Sequence, residues 1–393
     1  MNGQHEENLA DVHPVRVPVM TSPPLPWLLP ALRLVVFVVG VVVITAGIWQ
    51  AQPPRDLTIE VGPVGGSYYE NAVRYRDILA TRGITLHIVP TQNSMDILKD
   101  VDTKGSGIDV GFVAQDVGEV GDEDVFTIGL VQLQPLFIFA SASLGRHSVL
   151  DDLRGRKIVS LPANSVTTAA ALRVFELYDI TPENSSFTFL PLADAVRELR
   201  AGRFDAGVFM LAPENKVVRE MAEDSGLHLV PMTEARAITH ELPFLQPVLL
   251  PRGIYSIADA IPPNDVGLLA ARVAVIARKG LHPWLVYSLL DAIRKTHHGA
   301  TLISDAGEYP TIVGSQIEVD PLVAEWYQTG MPWIWRQLPP GVAGFIYSHA
   351  LLLLVAVLFS GVIITVAFLG DLAGLALATL NWVRRRRRPG ESA

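Results

Sequence analysis

Three short runs concentrate hydroxyls, amides and glycine at points where an apolar stretch gives way to a helical one. They are Gly65, Gly66 and Ser67 in "LTIEVGPVGGSYYENAVRY", Thr91, Asn93 and Ser94 in "TLHIVPTQNSMDIL", and Asn164, Ser165, Thr167 and Thr168 in "RKIVSLPANSVTTAAA". A helix amino terminus offers unpaired amide donors and a partial positive dipole, which suit a carboxylate or phosphate. Glycine lets a ligand approach the backbone, and hydroxyls add donors. Taken singly, each turn reads as ordinary N-capping. Three of them, each after a strand, point to a binding site, because the carboxyl ends of strands in an open α/β sheet share the edge where ligands bind.

The catalytic alternatives lack parts. The sequence contains no G-x-S-x-G elbow, Walker A lysine pattern or H-E-x-x-H pair, and "GPVGGSY" lacks dinucleotide-binding spacing. Asp109 and Asp205 would form a carboxylate pair if two lobes faced each other, although turn hydrogen bonds beside Gly111 and Gly207 explain them more simply. His297 and His298 diverge by about 100° on a helix, which disfavours a shared metal ion. The absence of cysteine excludes disulfides and thiolate-held zinc or iron–sulfur centres. No catalytic residue, metal or cofactor is expected. A net charge of -9, from 31 basic and 40 acidic residues, argues against a nucleic-acid partner.

The elements that position these residues alternate between strand and helix. Strands are expected at "LTIEV", "TLHIVP", "DVGFVAQ", "RKIVSL", "FTFLPL" and "DAGVFM", with helices between them, so the fold class is α/β with a mostly parallel sheet. Two segments echo each other: "IVPTQNSMDILKDVDTKGSGIDVGFV" and "FLPLADAVRELRAGRFDAGVF" both run strand, proline, helix, glycine, Asp-x-Gly and strand. Two similar lobes would account for this. An amphipathic helix follows in "HPWLVYSLLDAIRKTHHGATLI", and then an aromatic stretch, "AEWYQTGMPWIWRQLPPG", whose rings suit the headgroup level of a membrane.

Residues 34–54 and 350–370 contain no Asp, Glu, Lys or Arg, and 21 residues at helical rise reach about 31 Å, the thickness of a bilayer core. Each is expected to span a membrane, the first as an uncleaved anchor. The five arginines at 384–388 place the carboxyl tail in the cytoplasm, where they meet anionic lipid. With two spans both termini are cytoplasmic, and the region between is periplasmic or its equivalent. The expected plan is a disordered leader (1–30), a first transmembrane helix (31–52), a two-lobed region (56–335), a second transmembrane helix (345–370) and a basic tail (371–393).

Taken in order, "VGPVGGSYYENAVRY", "PTQNSMDIL", "IDVGFVAQ", "DDLRGRKIVSLPANSVTTAAALRVFE", "LRAGRFDAGVF" and "LLPRGIYSI" resemble the TAXI subfamily of TRAP-transporter solute-binding proteins. The likeness covers most of residues 56–303. It implies a two-lobed periplasmic-binding-protein fold of type II character, here with flanking transmembrane helices. Lobe 1 is expected to hold residues 56–138 and 251–335, and lobe 2 residues 139–250. The implied function is to deliver a small organic acid or amino acid to membrane permease subunits. The alternative is a ligand-sensing receptor that regulates a membrane partner. Implied ligand contacts are Ser67, Tyr68, Thr91, Ser94, Gln115, Ser165, Thr168 and Tyr255, beside Gly66, Asn93 and Thr167 from the turns themselves. Asn93 stands where the subfamily has glycine, and "NSVT" where it commonly reads glycine-serine-glycine-threonine.

Overall fold

The structure, a computed structural model, describes residues 28–115, 124–145 and 148–386 and divides into two compact units, Met1–Ala51 and Gln52–Ala393. The first unit contributes one helix, α1 (Leu28–Gln50). All but the last three residues of the expected leader lie outside the described residues, as do Arg387 and Arg388.

The second unit opens with β1 (Asp56–Val61), α2 (Ser67–Ala80), β2 (Thr85–Pro90), α3 (Ile97–Asp102) and β3 (Val110–Ala114). A 17-residue strand, β4 (Val125–Ser141), then leads to β5 (Lys157–Ser160), α4 (Val166–Glu176), β6 (Ser186–Phe189), α5 (Leu192–Arg200) and β7 (Ala206–Met210). After α6 (Lys216–Ala222), β8 (Leu227–Leu229), α7 (Ala235–Glu241) and β9 (Leu245–Leu250) comes a second long strand, β10 (Val266–Arg278). Five helices complete the unit: α8 (Pro283–His297), α9 (Pro321–Thr329), α10 (Trp333–Gln337), α11 (Pro340–Ser348) and α12 (Ala350–Arg386).

The strands form one sheet in the order β2-β1-β3-β10-β4-β7-β5-β6, with β9 added to β10 and β8 to β4. Its two ends are parallel triplets, β1 between β2 and β3, and β5 between β6 and β7. β4 and β10 run antiparallel between them. The first half of β4 and the second half of β10 belong with β3, and their other halves pair with β7 and β9. Two lobes therefore share two continuous strands. Lobe 1 packs Leu57, Ile59 and Val61 against Tyr75 and Leu79 of α2 and Leu285, Leu289 and Ile293 of α8. Lobe 2 buries Ile158 and Val208 on one face of its sheet and Val159 and Phe209 on the other. Covering both faces explains why β4, buried from Val125 to Ala140, shows no polar alternation.

Some expected boundaries move. β6 stops at Phe189, and the Leu192 end of "FTFLPL" begins α5 after Pro191. Tyr255, Val266 and Leu268 join the lobe 2 core with Val159 and Phe209, so the chain crosses between lobes inside β4 and β10. Residues 371–386, expected within a basic tail, continue α12. Among the described residues no single helix is long and apolar enough to cross a membrane, but the pair Pro340–Ser348 and Ala350–Val362, bent by 77°, meets both criteria together.

The internal echo has a physical basis. Asp109 Oδ2 accepts from Thr58 N at 2.9 Å, and Asp205 Oδ2 accepts from Lys157 N at 2.8 Å, so each aspartate pins the start of a parallel strand pair. Asp109 also meets Arg278 at 2.7 Å. The glycine two residues on lets a helix lie close. A Cβ on Gly111 would come within 2.4 Å of Ile97 Cγ2, and one on Gly207 within 2.6 Å of Leu199 Cδ2. Gly111→Ala and Gly207→Ala should each cost about 1–3 kcal/mol through overpacking. Thermal melts of the full chain in detergent should show both midpoints lowered, and an unchanged midpoint would contradict this packing.

Candidate functional site

The carboxyl ends of β1, β2, β5 and β7 meet at the seam between the lobes. A cavity of about 40 Å³ there is lined by Gly62, Pro63, Gly66, Ser67 and Tyr68 after β1, and by Gln92 and Ser94 after β2. From lobe 2 come Leu161, Pro162, Ser165, Val166 and Thr167 after β5, and Met210 and Leu211 from β7, with Gln134 of β4 between the lobes. All three hydroxyl-bearing turns thus reach one place. Helices α2 and α4 both begin at its wall, α4 with Ser165 Oγ accepting from Thr168 N at 3.2 Å. Gly65 enables the first turn with φ +82°, a left-handed conformation that side chains disfavour. Among the described residues that line the cavity, none carries a charged side chain.

Hydrogen bonds close the seam. Ala212 N donates to Ser67 Oγ at 2.7 Å, and Val166 N donates to Ser94 Oγ at 3.0 Å. Asn215, whose side-chain oxygen caps α6 by accepting from Val217 N, donates through Nδ2 to Gly65 O at 3.0 Å. Asn164 Nδ2 donates to Asp96 Oδ2 at 2.6 Å, and Asn164 O accepts from Met95 N at 3.3 Å. Apart from the Asn215 cap, each of these joins a lobe 1 turn to a lobe 2 turn. Among the described residues that line the cavity, one buried side-chain atom lacks a partner: Gln134 donates through Nε2 to Met210 O at 2.7 Å, while its Oε1 has none.

Gly66, Ser67, Tyr68, Ser94, Ser165 and Thr167 line the cavity, and the other expected contacts do not. Thr91 Oγ1 accepts from Asn93 N in a local turn, and Asn93 is exposed. Gln115 N donates to Arg272 O, and its side chain meets Ser315 Oγ at 3.4 Å, directed toward the 314–316 loop. Thr168 Oγ1 donates to Leu161 O at 2.7 Å and lies 2.8 Å from Ser160 Oγ, so it locks the β5 exit from behind. Tyr255 is buried in the lobe 2 core with Arg219 over its ring, and burial pushes its phenol up. Sequence reasoning missed Gln92, Gln134, Met210 and Leu211. Gln134 sits in β4, where unbroken burial hides the usual polar signal.

The two histidines diverge as expected. His297 is buried against Tyr75, its Nε2 2.6 Å from the phenol oxygen, and burial lowers its pKa to about 3. His298 is exposed. No group of three or more metal-ligating side chains occurs among the described residues.

Glu60 of β1 stands behind the second turn, 7 % exposed, with an unpartnered Oε2. Burial, with the Asp100 and Asp96 carboxylates nearby, pushes its carboxyl from 4.5 up to about 7. The folded chain therefore holds a proton that the unfolded chain releases earlier. The stability tied to this proton is whole below about pH 4.5 and is lost as the pH rises to about 7. Glu60→Gln should gain on the parent in thermal midpoint across that interval and hold the gain above it. A difference that does not change with pH would contradict the assignment.

The model of the NMT1-like family matches residues 59–298, from β1 to the end of α8, and so takes in both lobes and every turn of the cavity. Among solved structures, a Bordetella bronchiseptica RB50 protein aligns at 17% identity over 74% of this chain and 80% of its own, with a TM-score of 0.42. An ancestral arginine-binding protein bound to arginine aligns at 13% over 63% and 95%, with a TM-score of 0.40. The periplasmic aliphatic sulphonate binding protein of Escherichia coli aligns at 15% over 62% and 74%, with a TM-score of 0.39. At these identities and scores the likenesses say nothing of a ligand. With the family's match spanning more than half of its residues, the chain belongs to the NMT1-like family.

Proposed function

We propose that this chain is a membrane-anchored, extracytoplasmic solute-binding protein of the TAXI type that passes a small carboxylate-bearing solute to the permease subunits of a TRAP-type transporter. The observation that carries the reading is the meeting of turns from both lobes around one cavity, where Gln134 Oε1 is buried without a donor. A carboxylate held here rests on backbone amides at the starts of α2 and α4 and on the hydroxyls of Ser165 and Thr167, since no cation lines the wall. A hydroxyl or amine elsewhere on the solute satisfies Gln134. Tyr68, stacked on Phe112 at 5.1 Å, and Met210 supply apolar surface.

A cavity of about 40 Å³ is far smaller than a solute site of roughly 300 Å³ or more, so the lobes must part for entry. The seam bonds of Ser67 and Ser94 are then exchanged for bonds to solute. The anchors are residues 31–52 and 345–370, with both termini cytoplasmic and the lobes in the periplasm or its equivalent. Enzyme action is not part of this reading, since Asp109 and Asp205 are engaged at strand starts. The continuous packing of lobe 1 through α9, α10 and α11 toward α12 favours, as a second reading, a ligand sensor that regulates a membrane partner.

Titration calorimetry of the full chain in nanodiscs against a panel of amino acids and organic acids tests the proposal. Ser165→Ala and Thr167→Val should each weaken binding roughly tenfold, the worth of one hydrogen bond to a charged group, while Thr91→Ala and Tyr255→Phe leave it unchanged. Failure of every panel member to bind, together with no small molecule in mass spectra of the purified chain, would contradict it.

A further inference from the structure

The aromatic stretch before α12 divides its tryptophans between two environments. Trp335 is 3 % exposed and sits in the lobe 1 core. Its ring centroid lies 5.9 Å from His282, 6.1 Å from Trp284 and 6.2 Å from Tyr287, all at the start of α8, and 6.0 Å from Tyr347 of α11. Its Nε1 has no partner, so packing alone holds it. Met331, Ile334 and Leu338 pack on the same core, and Gly341, Ala343 and Gly344 are buried along α11. Trp333, two residues away and so about 200° around the helix, is 62 % exposed, and Tyr347 is 51 % exposed. Arg336 beside them is exposed.

From Pro340 to Gly370 the sequence has no Asp, Glu, Lys or Arg. Within it the 77° bend separates short α11 from α12, whose Leu351, Leu352, Leu354, Leu358 and Phe359 all face outward. Amphipathic rings, an arginine and a short apolar helix joined at a bend to the apolar start of α12 match the headgroup layer of a bilayer. The crossing strands meanwhile supply a hinge. Pro135, which cannot donate to the ladder, lies in β4 opposite Ala270, one residue before the half of β4 that pairs with β7.

We infer that α10 and α11 form a foot that lies in the lipid headgroup layer and is locked to lobe 1 through Trp335, so that lobe 1 is fixed on the bilayer and lobe 2 alone swings. This rests on the membrane-anchor reading above. The foot converts opening of the cleft into motion of lobe 2 relative to the membrane plane, which gives a membrane partner one moving surface to sense.

The cysteine-free chain allows single nitroxide labels in the full protein, in nanodiscs of phosphatidylcholine and phosphatidylglycerol. Leu358→Cys reports the span, Trp333→Cys and Ser348→Cys the foot, and Glu223→Cys of lobe 2 the aqueous reference. The expected result is an oxygen-accessible, nickel-chelate-shielded label at 358, intermediate values at 333 and 348, and full chelate access at 223. Labels at 333 and 348 that behave like 223 while 358 stays shielded would overturn the foot and leave the anchor standing. A label at 358 that behaves like 223 would overturn both. Dipolar distances between Asp77→Cys on α2 and Ser348→Cys test the lock: Trp335→Ala should broaden that distribution about twofold, with the distance from Asp77→Cys to Thr103→Cys within lobe 1 unchanged. An unaltered 77–348 distribution in Trp335→Ala would overturn the rigid coupling. A broadened 77–103 control would also count against it, since Trp335 would then be holding lobe 1 itself together.

Discussion

The antiparallel pairing of β4 with β10, registered over ten residue pairs from Leu269–Leu136 to Arg278–Val125, is the constraint on which the rest depends. Because each strand serves both lobes, neither lobe has a complete sheet without the other. The parallel triplets at either end are then oriented with their carboxyl ends toward the same seam. The cleft exists because two continuous strands join two sheets that grow outward in opposite directions. Where those strands pass between lobes, Pro135 removes a donor from the ladder. Stiffness within each lobe and compliance between them follow from the same pair of strands.

At the seam, the groups suited to hold a solute also hold the lobes to each other. Ser67 and Ser94 accept backbone amides from the opposite lobe, and Asn215 and Asn164 reach across in the other direction. Each of the neutral bonds among them contributes only about 1 kcal/mol net, because water satisfies the same groups when the cleft opens. A solute that offers equivalent partners can therefore replace them at little cost, while a buried acceptor such as Gln134 Oε1 favours the occupied state. In the proposed solute site the uncharged wall leaves recognition to hydrogen-bond geometry and helix termini. The acidic groups stand behind it, at Glu60, Asp96 and Asp100.

Much of this was legible in the sequence, for reasons that differ by residue. The three turns were visible because each alone reads as ordinary capping while three at strand exits of one sheet point to a shared edge, and Ser67, Ser94, Ser165 and Thr167 line one cavity there. The Asp-x-Gly echo was legible because the same two jobs, pinning a strand start and admitting a helix, recur in each lobe. Thr168 and Thr91 carry the right chemistry but spend it locally, on Leu161 O and Asn93 N, and one-dimensional spacing does not distinguish a hydroxyl aimed forward from one aimed back. Tyr255 follows a turn rather than a cleft strand, and its ring goes to the lobe 2 core. Gln134 escaped because a strand buried on both faces has no period of two to flag its polar member.

Amide hydrogen exchange at Ala212 and Val166 tests the cross-lobe seam most directly, since these two amides donate to side chains of the opposite lobe. The account predicts that both are protected in the full chain, and that Ser67→Ala releases Ala212 and Ser94→Ala releases Val166 while β5 and β7 keep their protection. Amides that exchange as freely as exposed loops in the parent, or that are indifferent to loss of the two hydroxyls, would contradict it.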